Sequence, residues 1–520
     1  MIAGGRSHAL KREVEHAQNP GETLKRLMVY LKPYSVTLGI IFIAILCSTL
    51  LSVAAPAIIG KAVKVLYNFV KGGVKEKTVQ ESITTFVRFI VLLGAVYLGG
   101  WVFNVLSYFL LTVISQKVLY NLRKDIFLKI QSLSVDFFDK AKTGDIMSKL
   151  SNDTATLNRV LNMGLNRFLG SVLTLAGIIV AMFLLNIRLA FISLLMLPVM
   201  VLATAVFSRR ARKAFQKTRR TISSINVELE ENITGIKTAQ AFNRTGRNSE
   251  TFKRVNAENR DANVNAETVL AAFSPTLDIL STIGLALILG YGGWLALKGF
   301  VTIGLVVAFL QYIRRFFQPV RAVSILWGNM QSAVAGVERI FQLLDEKPAI
   351  VEKLNPIIPA SIKGQIEFRD VYFSYTGKID VLKGINLSIT ANTTAAIVGP
   401  TGAGKTTLIS LLARFYDVTK GKILVDGFDI RDLKLAEYRR NLGIVLQDPF
   451  LFRGTIAENI RYGKLNASLE EIVEASKKAN AHNFIENLPG KYNTELTEGA
   501  QNISRGQRQL IAIARTILAD

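Results

Sequence analysis

The chain has 520 residues, half of them hydrophobic, and a positive mean hydropathy. Its 63 Lys and Arg exceed its 39 Asp and Glu by 24. That length allows several domains, and that apolarity excludes an ordinary soluble enzyme. A basic surplus suits nucleic acid or an anionic membrane leaflet. The apolar runs below favour the leaflet, and no nucleic-acid partner is expected. Cys47 is the only cysteine, which excludes a disulfide scaffold.

Residues 1–20 are polar and read as an N-terminal tail without a signal peptide. Leu24, Leu27, Met28 and Leu31 then form an apolar stripe beside Lys25, Arg26 and Lys32, as in a helix lying at a membrane interface or packed on a soluble core. A bilayer core needs about 20 apolar residues in helix. Six runs qualify, near 36–58, 86–115, 168–186, 189–207, 269–297 and 300–324. The turns at Asn186–Arg188 and Lys298–Phe300 are so short that the runs they join must be antiparallel neighbours. Pro56, Pro198, Pro275 and Pro319 lie in or beside these runs, where a kink frees a carbonyl that a neighbouring helix can satisfy.

Past the second run, Val118, Leu119, Leu122, Ile126, Phe127, Ile130 and Leu133 recur at helical spacing, so this helix is expected to leave the bilayer and continue into water. The stretch 208–265 is similar and opens on Arg209, Arg210, Arg212, Lys213, Lys217, Arg219 and Arg220, a cluster expected on the cytoplasmic side. Lys61, Lys64, Lys71, Lys75 and Lys77 would then lie outside, against that orientation. It is retained because the C-terminal third requires the cytoplasm.

Charges within spans are costly and ask for a role. Asp278 falls in the fifth run, and Arg314, Arg315 and Gln318 in the sixth. At about 1.5 Å per residue, Asp278 and Gln318 both lie roughly 25–30 Å from the outer turn, with the arginines slightly nearer. These four residues could shape a transport cavity; the alternative is a structural ion pair near the cytoplasmic surface.

Near residue 350 the pattern changes. Lys347, Pro348, Pro356 and Pro359 mark a linker. Ile366, Phe368, Val371 and Phe373 read as strand, as do Leu387, Ile389 and the run Ala395–Val398. Next comes Gly399-Pro-Thr401-Gly402-Ala403-Gly404-Lys405-Thr406, matching GxxxxGK[ST], then Thr407 and a helical pattern from Leu408 to Phe415. Glycines let backbone N–H groups turn around phosphates, and the helix N-terminus adds partial positive charge. Lys405 would reach the β- and γ-phosphates, and the Thr406 hydroxyl would hold Mg²⁺.

The loop alone would also suit a kinase or a small GTPase. Further residues resemble the ATP-binding cassette family across nearly the whole chain. Tyr375 in Phe-Ser-Tyr is similar to the family's adenine-stacking aromatic. Gln447 in Ile-Val-Leu-Gln-Asp-Pro is similar to the glutamine that senses Mg²⁺. Ile503-Ser504-Arg505-Gly506-Gln507 resembles the signature that clamps ATP bound on a partner domain. Phe137-Phe-Asp139, Gly144-Asp145, Ser151-Asn-Asp153 and Gly235–Phe242 resemble the cytoplasmic coupling loops of the exporter branch.

The resemblance implies a multi-domain protein: an all-α six-helix transmembrane domain with long cytoplasmic extensions over 21–335, a linker over 336–362, and a partial α/β P-loop ATP-binding domain over 363–520. It implies ATP and Mg²⁺ as cofactors, and a second half-transporter subunit, membrane lipids and a small amphipathic substrate as partners. It also implies a multi-pass protein of the plasma membrane with its nucleotide domain cytoplasmic. Leu496-Thr-Glu-Gly-Ala500 keeps the glutamate of the resembling pattern but loses its two glycines, as in unequal sites of heterodimers; a homodimer stays equally open. The resemblance also implies a later Asp-Glu pair (Walker B and the catalytic glutamate) and a later histidine, which these 520 residues do not carry; Ile423–Asp426 belongs to another strand, and His8, His16 and His482 are misplaced, His482 as a solvated helix residue. The expectation is a chain truncated before that motif, without catalytic residues, that binds ATP but does not hydrolyse it, or else a silent partner subunit. Its sheet is expected to keep unpaired edges and low stability.

Overall fold

The computed structural model describes residues 19–71 and 76–519; within them, the side chains of 71, 76–79, 163, 321, 323–325 and 327–329 are outside the described set. Most of the polar tail, with His8 and His16, and the lysines at 71, 75 and 77 therefore lie outside the described residues or side chains. The chain divides into two compact units, one from residues up to 131 and 143–346, the other from 132–142 and 347–520.

The first unit is helical. Helix α1 spans Pro20–Leu31, α2 Ser35–Lys71 and α3 Glu76–Ser132; α4, Val135–Lys140, belongs to the second unit. Then follow α5 (Thr143–Ser148), α6 (Thr154–Arg159), α7 (Leu165–Leu185), α8 (Ile187–Leu194), α9 (Met196–Thr234), α10 (Ile236–Ala241), α11 (Thr245–Leu297) and α12 (Ile303–Asp345). Five helical stretches among the described residues are long and apolar enough to cross a membrane: Pro20–Val70, Gln80–Ser132, Thr143–Leu185, Ile187–Thr234 and Thr245–Leu297. The sixth expected span falls in α12. Large apolar side chains such as Leu98, Trp101 and Phe109 stand exposed along α3. Water would make such a continuous apolar face costly, and acyl chains would not. The core joins α2, α7, α8, α9, α11 and α12 through Val53, Ile178, Leu189, Met200, Ile288 and Phe309.

Pro56, Pro275 and Pro319 lie inside the continuous helices α2, α11 and α12, and one span changes at Pro198. The run 189–207 is not one helix: it breaks at Leu195 between α8 and α9. Pro198 has no N–H, and its ring crowds the Leu194 carbonyl four residues back. Pro56 likewise strips the Ser52 carbonyl of its helical donor, and helix α12 supplies a substitute: Arg315 Nη1 donates to Ser52 O at 2.8 Å. Helices α2 and α12 touch backbone to backbone further along. A Cβ on Gly304 would come within 2.0 Å of the Gly60 carbonyl oxygen, so only glycine fits.

In the extension of α3, Val118, Leu119, Leu122 and Ile126 are buried as the stripe requires, but Phe127 is exposed, one position off the packed face. Of the α1 stripe, Leu27 is buried while Leu24 and Met28 are exposed; Arg26 forks onto Asp345 at 2.5 and 2.8 Å and covers the Phe341 ring. Asp153 is buried and accepts a two-pronged bond from Arg339 at 2.6 and 3.1 Å.

The second unit carries β1 (Ile366–Phe373), β2 (Leu382–Ile389), helix α13 (Lys405–Leu412), β3 (Lys420–Val425), β4 (Phe428–Asp429), α14 (Leu435–Arg440), β5 (Gly454–Thr455), α15 (Ile456–Arg461), α16 (Leu469–Lys478), α17 (His482–Glu486), β6 (Glu495–Leu496) and α18 (Arg505–Ala519). Strands β2-β1-β3-β4 form an antiparallel sheet, with Ile366 facing Ile389 on one side and Val425 on the other. Its apolar face packs on α13 through Phe368, Val371, Leu408 and Leu411. A second core gathers α15–α18 around Ile456, Ile472, Ile485 and Ile511.

Two expectations fail here. Ala395–Val398 is not a strand: it pairs with no strand among the described residues, and Val398 is 90% exposed. A strand exists through its ladder, and an apolar run without a neighbour cannot form one. His482 is not solvated; it is half-buried, with Nδ1 2.9 Å from the Tyr492 hydroxyl.

Candidate functional site

Between Val398 and helix α13 the chain turns through Gly402 at φ +87° and Gly404 at φ +85°. Both lie in the left-handed region where a side chain is strained. At Gly404 a Cβ would also reach within 2.6 Å of Leu382 Cδ2. Gly404 is the N-cap of α13, so the first N–H groups of an eight-residue helix open onto the loop. Lys405 bends back, its Nζ donating to the Gly399 and Pro400 carbonyls at 2.8 Å each. Thr401, Gly402, Ala403 and Thr406 are exposed, whereas Thr407 is buried. The Thr407 hydroxyl lies 3.1 Å from the Tyr375 hydroxyl. This contact ties the start of α13 to the Tyr375 ring.

Tyr375 stands edge-on to Phe373 and Tyr416, with centroids 4.8 and 5.2 Å away. All three rings line a cavity of about 240 Å³ with Phe415, Asp136 and Lys140. Helix α4 reaches this place because Val135 packs on the sheet core and Asp139 accepts the Tyr416 hydroxyl. The resemblance around Phe137 and Asp139 thus falls on residues seated against this unit's aromatic cluster.

Gln447 is exposed in a segment without strand or helix, and its neighbour Asp448 pairs with Arg505 at 2.5 Å. Ser504 and Gln507 form a reciprocal cap: the Ser504 hydroxyl accepts from Gln507 N at 3.2 Å, and Ser504 N donates to the Gln507 amide oxygen at 2.9 Å. Gly506 is exposed in the first turn of α18. Sequence reasoning missed Arg515, which joins α18 to the stretch after Gln447 through Asn459 O at 2.8 Å, Asn459 Oδ1 at 3.0 Å and Phe450 O at 3.2 Å. Burial pushes its guanidinium pKa down. Its spacing on an amphipathic helix carries no signal of that role.

In the first unit, Arg315 and Gln318 line a cavity of about 590 Å³, whereas Arg314 and Asp278 do not. Asp278 is exposed on α11. The four residues therefore do not form one cluster, and the ion-pair alternative finds no pair among them.

Residues 38–320 match the family described as ABC transporter transmembrane region, and residues 382–520 match that described as ABC transporter. The chain belongs to the ABC transporter family. Its order, one membrane region followed by one ATP-binding region, is the half-transporter architecture of exporters. An uncharacterized ABC transporter ATP-binding protein, YfiC, of Bacillus subtilis is 37% identical over 508 residues, 97% of this chain and 82% of that protein. An ATP-dependent lipid A-core flippase of Syntrophus aciditrophicus is 36% identical over 79% of this chain and 69% of its own length. A putative multidrug export ATP-binding/permease protein, YgaD, of the same Bacillus is 32% identical over 95% and 85%. As an ABC protein the chain is a multi-pass membrane protein of an ATP-binding, ATP-driven export family.

Proposed function

We propose that this ABC half-transporter moves amphipathic or hydrophobic small molecules across the plasma membrane, pairing with a second subunit and closing the two nucleotide domains on ATP. The transmembrane part would span 21–335 and the cytoplasmic nucleotide-binding part 363–520, joined by the linker 336–362. The observation that supports this reading most is the Gly404–Lys405 turn, a phosphate cradle at a helix N-terminus in the same chain as membrane-crossing helices.

In this reading Tyr375 stacks on adenine at the aromatic cavity. The Thr401–Thr406 backbone encloses the phosphates, and Lys405 exchanges its two carbonyl partners for phosphate oxygens. The hydroxyl and amide oxygens of Thr406 and Gln447 are hard donors that fit Mg²⁺, which keeps most of its water and phosphate ligands. Among the described residues the Thr406 hydroxyl has no competing hydrogen bond. When bound, Mg²⁺ neutralises phosphate charge. Ser504, Arg505, Gly506 and Gln507 would face ATP held by the partner subunit, for which Ser504 and Gln507 must release their mutual cap. ATP-dependent uptake of an amphipathic dye into inside-out membrane vesicles from the protein's own cells tests the reading; uptake that survives Lys405→Ala made in the native gene sinks it.

A second reading, the silent subunit of a heterodimer, is favoured by Ala500, which sits at φ +50° where the resembling pattern has glycine. Purification of the tagged protein from its own cells separates the two: a single chain in the dimer excludes the second reading.

A further inference from the structure

The 590 Å³ cavity lies among α2, α3, α7 and α12, and among the described residues all but four of the seventeen that line it are polar. Among the described residues no Asp or Glu lines it, yet two arginines do, Arg167 and Arg315. Arg167 belongs to the Thr143–Leu185 stretch that qualifies as membrane-crossing, and Arg315 belongs to α12. Among the described residues, Arg167 has no hydrogen-bond or ion-pair partner. Arg315, among the described residues, is held by neutral acceptors only: Ser52 O at 2.8 Å, Ser52 Oγ at 3.2 Å and Tyr97 OH at 2.9 Å. These bonds aim the guanidinium without neutralising it. Thr49, Ser107 and Asn166 in the same wall are buried, and Asn166 donates to Ser107 at 3.3 Å.

Ionic side chains within apolar helices persist where they meet an opposite charge or a wet pathway. Here two positive charges converge on a polar space with no acid among the described residues to match them. We propose that this cavity receives the anionic headgroup, carboxylate or phosphate, of an amphiphilic cargo, with Arg167 and Arg315 as its counter-charges. A planar guanidinium offers either anion paired donors, and the hydroxyls and amides of the wall can complete its hydrogen bonds. Apolar cations and uncharged amphiphiles gain no such partner. The assignment rests on the exporter reading above and narrows its cargo.

The test measures equilibrium binding to the purified protein in neutral detergent at neutral pH. The probes share one tail: a pyrene-labelled fatty acid, its methyl ester and its choline ester. The acid is expected to bind about ten-fold more tightly than either ester, the worth of one charge-assisted bond. Arg167→Gln and Arg315→Gln should each erase most of that preference while leaving the methyl ester unchanged. Arg315→Gln also removes bonds to Ser52 and Tyr97. Arg167→Gln, which removes none among the described residues, keeps the test valid if the first variant misfolds. Competition by an alkyl monophosphate tells which anion is preferred, and either preference supports the proposal. Equal binding of acid and esters, tighter binding of the choline ester, or a preference that survives both variants overturns it. Transport is read separately, in membrane vesicles from the protein's own cells: an intact anion preference without ATP-dependent movement of any probe there refutes the exporter reading and leaves the headgroup site standing.

Discussion

Arg315 and Lys405 are both cations resting on backbone carbonyls, at 2.8 Å, and neither has a carboxylate partner among the described residues. They differ in where those carbonyls come from. Lys405 uses residues five and six positions back, in its own loop. Arg315 uses a residue 263 positions away, on a helix whose proline has freed the carbonyl. A cation held by its own loop needs only a short sequence to be placed, while one held across helices depends on the packing that sets the register between them. In α2 and α12 that register is antiparallel: Gly60 meets Gly304, Tyr312 donates to Val53 O at 2.7 Å, and Arg315 reaches Ser52.

The largest effect should therefore follow from Gly304→Val. Its side chain would have to occupy the space of the Gly60 backbone, which no rotamer can relieve. Forcing the helices apart is expected to cost more than about 4 kcal/mol, among the most severe effects of a single substitution. Detergent extracts should contain little or no monodisperse protein by size-exclusion chromatography. Wild-type yield and thermal stability would mean that the helix contact does not set the position of Arg315.

Lys405→Ala should be milder for the fold and strong for the ligand. Its two hydrogen bonds go to carbonyls of an exposed loop, so thermal stability should hardly change. Loss of a charge-assisted bond to phosphate should weaken ATP binding about 10- to 100-fold, measured with a fluorescent ATP analogue. Unchanged affinity would show that Lys405 stays on its own carbonyls when nucleotide binds.

The same contrast explains what could be read from the sequence. The phosphate loop was legible because GxxxxGK[ST] encodes a local turn whose two left-handed glycines and helix start need nothing distant. Helix α3 beyond the bilayer was legible from its period, except at Phe127, where packing rather than spacing decides the face. The cavity was only half legible. Depth along a helix put Asp278, Arg314, Arg315 and Gln318 at one level, but depth says nothing of rotation, and only Arg315 and Gln318 turn toward the wall. Ala395–Val398 failed for the opposite reason: its composition suits a strand, but a strand is a property of two segments.

Asp426 is the mirror case, an anion held by backbone N–H groups. It accepts from Lys363 at 2.6 Å, Gln365 at 2.9 Å and Gly364 at 3.3 Å. Burial works against its charge, but the three donors prevail and hold its carboxyl below the usual carboxylate range. A carboxyl depressed in the folded state contributes stability above its unfolded value of about 3.9 and loses it as pH falls through the folded value. Thermal unfolding should therefore show a loss of stability below about pH 4 that Asp426→Asn reduces. An identical acid limb in the variant would assign the loss to other carboxylates.

The smallest effect expected is at Ala500, buried at φ +50° in the loop before the signature helix. Alanine in the left-handed region costs roughly 1–2 kcal/mol, which glycine would recover. Glycine would also forfeit a buried methyl, about 0.8 kcal/mol, and gain chain entropy when unfolded, about 0.5–1 kcal/mol. These effects oppose each other, so Ala500→Gly should change stability by less than about 0.5 kcal/mol despite deleting a fully buried methyl. Ala514 in the middle of α18 is equally buried but helical. There nothing is recovered, and Ala514→Gly should cost about 1.5–2 kcal/mol from the same methyl plus helix propensity. Paired denaturation curves decide the matter. If Ala500→Gly costs as much as Ala514→Gly, the loop is not strained, and the departure from glycine at this position gives no support to an unequal ATP site.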